Sequence, residues 1–132
     1  MAFTVGDVVA EREIHLTRES LVRYAGASGD FNPIHYRDDV AAAVGLPGVL
    51  AHGMLTMGIA SSVVVSALGD AAAITEYGVR FTKPVVVDPE AGADVRVVAT
   101  VGAVDEAGAR IDLKVTFGDT TVLGKAQLRV AI

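Results

Sequence analysis

The chain has 132 residues, of which 52% are hydrophobic and 20% are charged. This length predicts a single domain over residues 1–132 with a buried core, and the composition excludes a disordered tail. Eleven Lys and Arg against 16 Asp and Glu give a net charge of −5, which disfavours nucleic-acid binding. The sequence has no cysteine, which excludes disulfides, thiolate metal sites and cysteine nucleophiles.

The first half of the chain predicts one strand and three helices. The strand alternates apolar and polar residues, and the first helix has a Thr at its N-cap and Gly29 after its last turn. Asp38 is the predicted cap of the short second helix. The predicted bounds are Val8–Leu16 for the strand, and Thr17 to about Ser28, Asp39–Val44 and Gly53–Leu68 for the helices.

Residues 40–69 contain no charged side chain and raise the question of a membrane span. Pro47 and Gly48 interrupt this region, and its acidic flanks lack a cationic anchor. A helix buried on all sides of a globular protein is therefore the favoured interpretation, with no membrane partner. Met1 to Asp7 shows no basic segment followed by an apolar run, so we expect no signal peptide and a cytoplasmic protein.

The second half of the chain is rich in Val, Thr and Ile and predicts four strands separated by turn signals. Strands that follow one another across short turns predict an antiparallel meander. A strand, a helical region and four more strands make the fold class α+β, with a sheet curled around the apolar helix. The predicted strands are Ile74–Thr82, Ala93–Val104, Arg110–Phe117 and Thr121–Val130.

The loop of residues 30–35, DFNPIH, is the first candidate site. It places a carboxylate, an amide and an imidazole beside the most apolar part of the chain, and Pro33 stiffens it. Asp30 and His35 can then converge on one point, such as a water molecule, and move protons near neutral pH. The alternative is that Asp30 and Asn32 are ordinary turn residues and that His35 is solvated.

The second candidate is His52-Gly53, at the start of the apolar helix. A helix N-terminus offers unpaired backbone N–H groups, and glycine lets a ligand approach them, so a carbonyl oxygen that becomes an oxyanion fits here. The alternative is that Gly53 only starts the helix and His52 caps it. Ser61, about two turns further on, is either part of a mildly polar patch or a small packing residue.

Several other chemistries lack their sequence signatures. The chain has no nucleophile elbow, zinc-protease motif, dinucleotide fingerprint or P-loop, and its three histidines have no metal-ligand spacing, so we predict no metal and no cofactor. A Ser-His-Asp triad built from Ser28 or Ser61 with Asp30 and His35 stays open.

Residues 30–35, DFNPIH, followed by residues 51–54, AHGM, resemble the hydratase motif of the MaoC-like family. This family comprises (R)-specific enoyl-thioester hydratases and (3R)-hydroxyacyl dehydratases of the hot-dog fold. Within it, the runs at residues 27–30, 52–58 and 75–82 are similar to the catalytic B subunits of mycobacterial-type (3R)-hydroxyacyl-ACP dehydratases.

The resemblance implies a long helix wrapped by an antiparallel sheet, and a homodimer or a heterodimer with another hot-dog subunit. It assigns Asp30 and His35 as the catalytic pair and Asn32 as their polar support. It implies that the Gly53 N–H binds the thioester carbonyl and that Ser61 lines the site. Which of Asp30 and His35 is the acid and which the base stays open.

The implied reaction is syn addition or elimination of water on acyl-CoA or acyl-ACP in fatty acid synthesis, without a cofactor. Three alternatives remain: a hot-dog acyl thioesterase, a subunit active only with a partner chain, and a lipid-binding module. Both carriers are anionic, so a chain of net negative charge needs local cations to bind them. The candidates are Arg37, Arg80, Lys83 and Lys125.

Overall fold

The computed structural model describes residues 2–131, which form one antiparallel sheet of five strands folded against a long helix. The sheet consists of β1 (Val8–Leu16), β2 (Ile74–Phe81), β3 (Ala93–Asp105), β4 (Gly108–Phe117) and β5 (Thr120–Ala131). The helices are α1 (Arg18–Ser28), α2 (Asp38–Ala43) and α3 (Gly53–Leu68), and 3₁₀ turns span Pro33–His35 and Ala71–Ala73.

The strand order is β1-β3-β4-β5-β2, with every neighbouring pair antiparallel. Strands β3, β4 and β5 form the predicted meander, and the α+β class is confirmed. The prediction is wrong for β2, which pairs with β5 instead of β3. The connection over residues 82–92 is too long for a hairpin turn, and it pairs with the loop before α3 through a bridge from Val86 to Leu50.

The core lies between the inner face of the sheet and one side of α3. Alternate residues of the central strands point inward, as the period of two requires. On β3 and β4 the inward side chains are the buried residues Val95, Val97, Ala99, Val101, Ala109, Ile111, Leu113 and Val115. The helix contributes Thr56, Ala60, Val63 and Val64.

Helix α3 is buried on one side only, so the prediction of a helix enclosed all round is wrong for this chain by itself. Met54 is 58% exposed, and Gly58 and Ser62 are also exposed. The helix is also held to the sheet by the Tyr77 hydroxyl, which donates to the Met57 carbonyl at 2.6 Å. No helix within residues 2–131 has the length and apolar character needed to cross a membrane.

The helix caps explain how α1 and α2 are placed. Thr17 forms the predicted cap of α1, its side chain accepting from the Ser20 N–H, and Gly29 ends the helix in the left-handed region with φ 77°. The predicted Asp38 cap of α2 is wrong, because α2 begins at Asp38 itself. The Asp38 carboxylate instead accepts a hydrogen bond from Arg18 at 2.8 Å.

Candidate active site

The loop after α1 is fixed by its own side chains. Asp30 Oδ1 accepts from the Asn32 N–H at 3.1 Å, and Asn32 Oδ1 accepts from the Ile34 N–H at 3.2 Å. Asn32 thereby caps the 3₁₀ turn that begins at Pro33. The other oxygen of the Asp30 carboxylate, Oδ2, faces His35.

His35 is buried, and one backbone carbonyl fixes its proton. Its Nδ1 lies 2.7 Å from the Leu50 carbonyl, which can only accept, so Nδ1 carries the hydrogen. In the neutral ring, Nε2 then carries a lone pair and can accept a hydrogen bond. The Nε2 atom lies 3.9 Å from Asp30 Oδ2. That distance is too long for a direct hydrogen bond and suits a water molecule that bridges both groups.

His52 lies behind this pair and is 1% exposed. Its ring stacks on His35 with centroids 3.8 Å apart, and its Nε2 donates to the Asp30 carbonyl at 3.1 Å. Burial lowers the pKa of His52. Its Nδ1 is buried without a hydrogen-bond partner among residues 2–131, at a cost of about 1–3 kcal/mol. In the alternative interpretation His52 caps the helix; it does occupy the N-cap position of α3, but its side chain makes no capping hydrogen bond.

Gly53 begins α3, so its N–H has no carbonyl of its own helix to bond. Gly53 lines a cavity of about 280 Å³, and His35 lines the same cavity. The ring of Phe81, at the end of β2, lies against Gly53. The remaining cavity wall is formed by Leu50, Ala51, Thr56, Thr82, Lys83, Pro84, Val85, Val122 and Leu123. The structure therefore brings a candidate oxyanion donor and a candidate base to one mainly apolar space.

The two serines considered for a triad bond to their own backbone neighbourhood. The Ser61 hydroxyl donates to the Gly58 carbonyl at 3.0 Å, and the Ser28 hydroxyl accepts from the Asp30 N–H at 3.1 Å. Among residues 2–131 neither hydroxyl bonds to His35. Ser61 also does not line the cavity that Gly53 opens, since two helical turns separate the two residues by about 12 Å.

The potential metal-ligand atoms of Asp30, His35 and His52 lie within 4.8 Å of one another. Each histidine uses one ring nitrogen on a backbone carbonyl, which leaves one nitrogen each. The two rings are nearly parallel, with 22° between their planes, so their in-plane lone pairs run side by side. A metal ion needs lone pairs that converge at about 2.0–2.1 Å, so this arrangement suits proton transfer better than metal binding.

Two features of the site were not predicted from the sequence. Thr56 is buried beside the cavity, one turn after Gly53, and its position in the first turn of α3 was the available signal. Among the candidate cations, Lys83 lines this cavity, whereas Arg80 and Lys125 line a separate groove on the sheet and Arg37 pairs with Asp39.

A five-stranded antiparallel sheet covers one side of α3, and the Asp30–His35 pair lies near the N-terminal end of this helix. This combination can be compared with known protein families. The model of the MaoC like domain matches residues 3–121. The chain therefore belongs to the MaoC-like domain family, as the motif at residues 30–35 and 51–54 predicted.

Relatives in this family carry related names. The chain is 38% identical over 79 residues to 3-hydroxyacyl-thioester dehydratase X of Mycobacterium tuberculosis, which covers 60% of this chain and 27% of that protein. It is 42% identical over 72 residues to 3-hydroxyacyl-thioester dehydratase Y of the same organism, covering 52% of this chain and 25% of that protein. The chain thus spans about a quarter of the length of these curated relatives.

Solved structures agree on the fold. A protein titled MaoC-like dehydratase superposes with a TM-score of 0.94 at 34% identity, covering 98% of this chain and 40% of that chain. An (R)-hydratase from A. caviae, titled as involved in PHA biosynthesis, superposes with a TM-score of 0.83 at 22% identity. That match covers 98% of this chain and 96% of the other, and it shows a shared fold over nearly the whole length.

Proposed function

We propose that this chain is an (R)-specific enoyl-thioester hydratase and (3R)-hydroxyacyl-thioester dehydratase that acts on acyl-CoA or acyl-ACP. One observation carries the proposal: Asp30 Oδ2 lies 3.9 Å from His35 Nε2, and His35 lines the same cavity as Gly53, the first residue of α3. The dehydratase names of the mycobacterial relatives support the same reaction class. The reaction needs a held water, a proton acceptor and an oxyanion donor, and these residues offer all three.

The two atoms that face each other, Asp30 Oδ2 and His35 Nε2, both accept hydrogen bonds. A water molecule between them donates one O–H to the Asp30 carboxylate and the other to His35 Nε2, so its lone pair is free to attack an alkene carbon. In hydration the Cα=Cβ π bond breaks, a C–O bond forms at Cβ, and Cα gains a proton on the same face. One member of the pair takes a proton from the water. Whichever member takes this proton then delivers it to Cα.

Charge develops on the thioester oxygen as the enolate forms. The Gly53 N–H and the positive end of the α3 dipole stabilise that charge, and loss of one such donor typically costs about 2.7–4 kcal/mol. Dehydration follows the same path in reverse. The lining of the cavity is mainly apolar, and these interactions are stronger beside apolar side chains than in bulk water.

The proposed assembly is a homodimer or a heterodimer with another hot-dog chain. It is supported by the exposed side of α3, which includes Met54, and by β1 and β2, the outer strands of the sheet that residues 2–131 form. A solved structure titled as a complex of ChsH1 and ChsH2 from Mycobacterium tuberculosis has the same fold, with a TM-score of 0.87 at 21% identity and 99% coverage of both chains. Native mass spectrometry of the purified chain distinguishes the monomer from the dimer.

The central experiment is hydration of crotonyl-CoA, followed by the loss of enoyl absorbance and by chiral analysis of the 3-hydroxy product. We expect an (R) product, and we expect Asp30→Asn and His35→Ala each to lower kcat by at least about 100-fold. Circular dichroism checks that both variants are folded. Full activity in both variants would remove the catalytic assignment.

The competing functions give different results in the same assay. A thiol-trapping dye detects the free CoA that a thioesterase would release, and we expect none. A chain that binds acyl-CoA but neither hydrates it nor releases thiol, alone or with a hot-dog partner, is a binding module. Activity that appears only after addition of such a partner identifies a dependent subunit.

A further inference from the structure

One buried ring contacts both members of the Asp30–His35 pair. His52 touches His35 through its face, with centroids 3.8 Å apart and 22° between the planes. It touches Asp30 through its edge, where Nε2 donates to the Asp30 carbonyl at 3.1 Å. Tyr24 packs edge-on against the same ring at 4.8 Å. These three residues, Asp30, His35 and Tyr24, therefore pack around the buried His52 ring.

The hydrogen bonds fix the protonation state of His52. Because the Asp30 carbonyl can only accept, the hydrogen of the neutral ring lies on Nε2. A second proton on Nδ1 would create a buried donor without a partner, directly beside His35. Burial lowers the pKa of His52 for the same reason. The groups that face the ring are Asp30, His35 and Tyr24, and among these the Asp30 carboxyl lies mostly at the surface.

We propose that His52 is a positioning residue, a neutral imidazole that holds Asp30 and His35 at the separation that one water molecule bridges. The proposal rests on the proposed function for its catalytic meaning. Its two contacts are separable: a phenyl ring keeps a stacking face but has no donor, and a glutamine amide keeps a donor but has no aromatic face. Histidine supplies both in one side chain, at the cost of an Nδ1 that has no hydrogen-bond partner among residues 2–131.

The kinetic test compares His52→Ala, His52→Phe and His52→Gln with His15→Ala as the matched control. His15 is exposed and bonds to Asp94, away from the cavity lining, so its loss should leave activity unchanged. We expect His52→Ala to lower kcat by about 100-fold, the cost of a misplaced reacting group. We expect its KM for crotonyl-CoA to stay within about twofold, because the substrate-binding surface is untouched. The Phe and Gln variants should each recover part of kcat.

The spectroscopic test does not depend on turnover. The chain has three histidines, so ring ¹⁵N–¹H spectra are assignable by single substitution. We expect the neutral Nε2–H form for His52 at neutral pH, and a hydrogen on Nδ1 of His35 that is bonded to the Leu50 carbonyl. In His52→Ala, backbone amide signals near Asp30 and His35 should shift or broaden, while those near His15 should not.

The outcomes separate the two proposals. An inactive wild-type chain, tested with and without a hot-dog partner, refutes the proposed function whatever the spectra show. A doubly protonated His52 ring at neutral pH, or unmoved Asp30 and His35 signals in His52→Ala, overturns the positioning role whether or not the chain is active. In an active enzyme, wild-type kcat in His52→Ala, or no recovery of kcat in either His52→Phe or His52→Gln, also overturns it.

Discussion

Gly53 and Phe81 are in direct contact at the start of α3. A Cβ built on Gly53 would lie 2.9 Å from Phe81 Cε1 and 3.1 Å from Cδ1. Only glycine leaves room for the aromatic ring while keeping the helix N-terminus open to a ligand. Phe81 is 56% exposed, so its ring is the more movable member of the pair.

A methyl group at Gly53 tests this contact. We expect Gly53→Ala to fold normally, because the end of an exposed side chain can shift, and to lower kcat/KM for crotonyl-CoA at least about tenfold, because the methyl and the displaced ring enter the carbonyl site. Steady-state kinetics and a thermal melt measure the two effects separately.

Gly26→Ala, the same substitution on the exposed side of α1, is the matched control. A Cβ at Gly26 meets nothing within 4 Å, and alanine is favoured over glycine in a helix by about 1 kcal/mol. This variant should therefore be somewhat more stable and fully active. Equal activity losses in the two variants would show that the contact with Phe81 is not the cause of the loss in Gly53→Ala.

The elements predicted from the sequence depended on local signals. The Thr17 cap, the left-handed Gly29 and the valine-rich strands depend on signals within a few residues of chain, and these predictions are confirmed. The place of β2 was not predictable in this way. Its pairing with β5 brings Ile74 opposite Val130, a contact set by long-range closure of the sheet and not by a turn.

In the candidate site, too, contacts between residues close in sequence were predictable and contacts between distant segments were not. Asp30 and His35 lie five residues apart in a stiff loop, so their approach could be inferred from spacing. The stacking of His52 on His35 could not, because it depends on how the loop before α3 folds back over the 3₁₀ turn. Two hydrogen bonds hold that arrangement: Leu50 N–H to the Ile34 carbonyl at 3.1 Å, and His35 Nδ1–H to the Leu50 carbonyl at 2.7 Å.

Lys83 is the cation at the cavity and tests how the carrier is bound. We expect Lys83→Gln to raise KM for crotonyl-CoA by up to about fivefold at low salt, the range of an exposed ion pair, and to leave kcat unchanged. The effect should shrink as salt screens the charge. It should vanish with the crotonyl thioester of N-acetylcysteamine, which carries no phosphate.

Lys125→Gln is the control for net charge. Lys125 lines a different groove, so its loss changes the overall charge equally without changing the cavity. A rise in KM with the uncharged thioester, or the same rise in both lysine variants, would show that Lys83 does not contact the phosphates of the carrier.

Tyr77 links α3 to the sheet and predicts how stability depends on alkaline pH. Burial raises the pKa of Tyr77 to about 12 in the folded chain, against about 10 for an unfolded tyrosine. The unfolded chain therefore loses this proton first, so stability present below about pH 10 is lost progressively as the pH rises toward 12. At neutral pH, Tyr77→Phe should be less stable by about 0.5–1.5 kcal/mol, because it lacks the hydrogen bond to the Met57 carbonyl.

Urea unfolding of both proteins between pH 8 and pH 12 measures this difference. The wild-type advantage should shrink above about pH 10 and reverse near about pH 11, since one pKa unit corresponds to about 1.4 kcal/mol. The alkaline titrations of Lys and Arg are common to both proteins and cancel in the difference. An advantage that stays constant over the whole range would mean that Tyr77 reaches solvent when it ionises, and that the hydroxyl does not hold α3 in a dry contact.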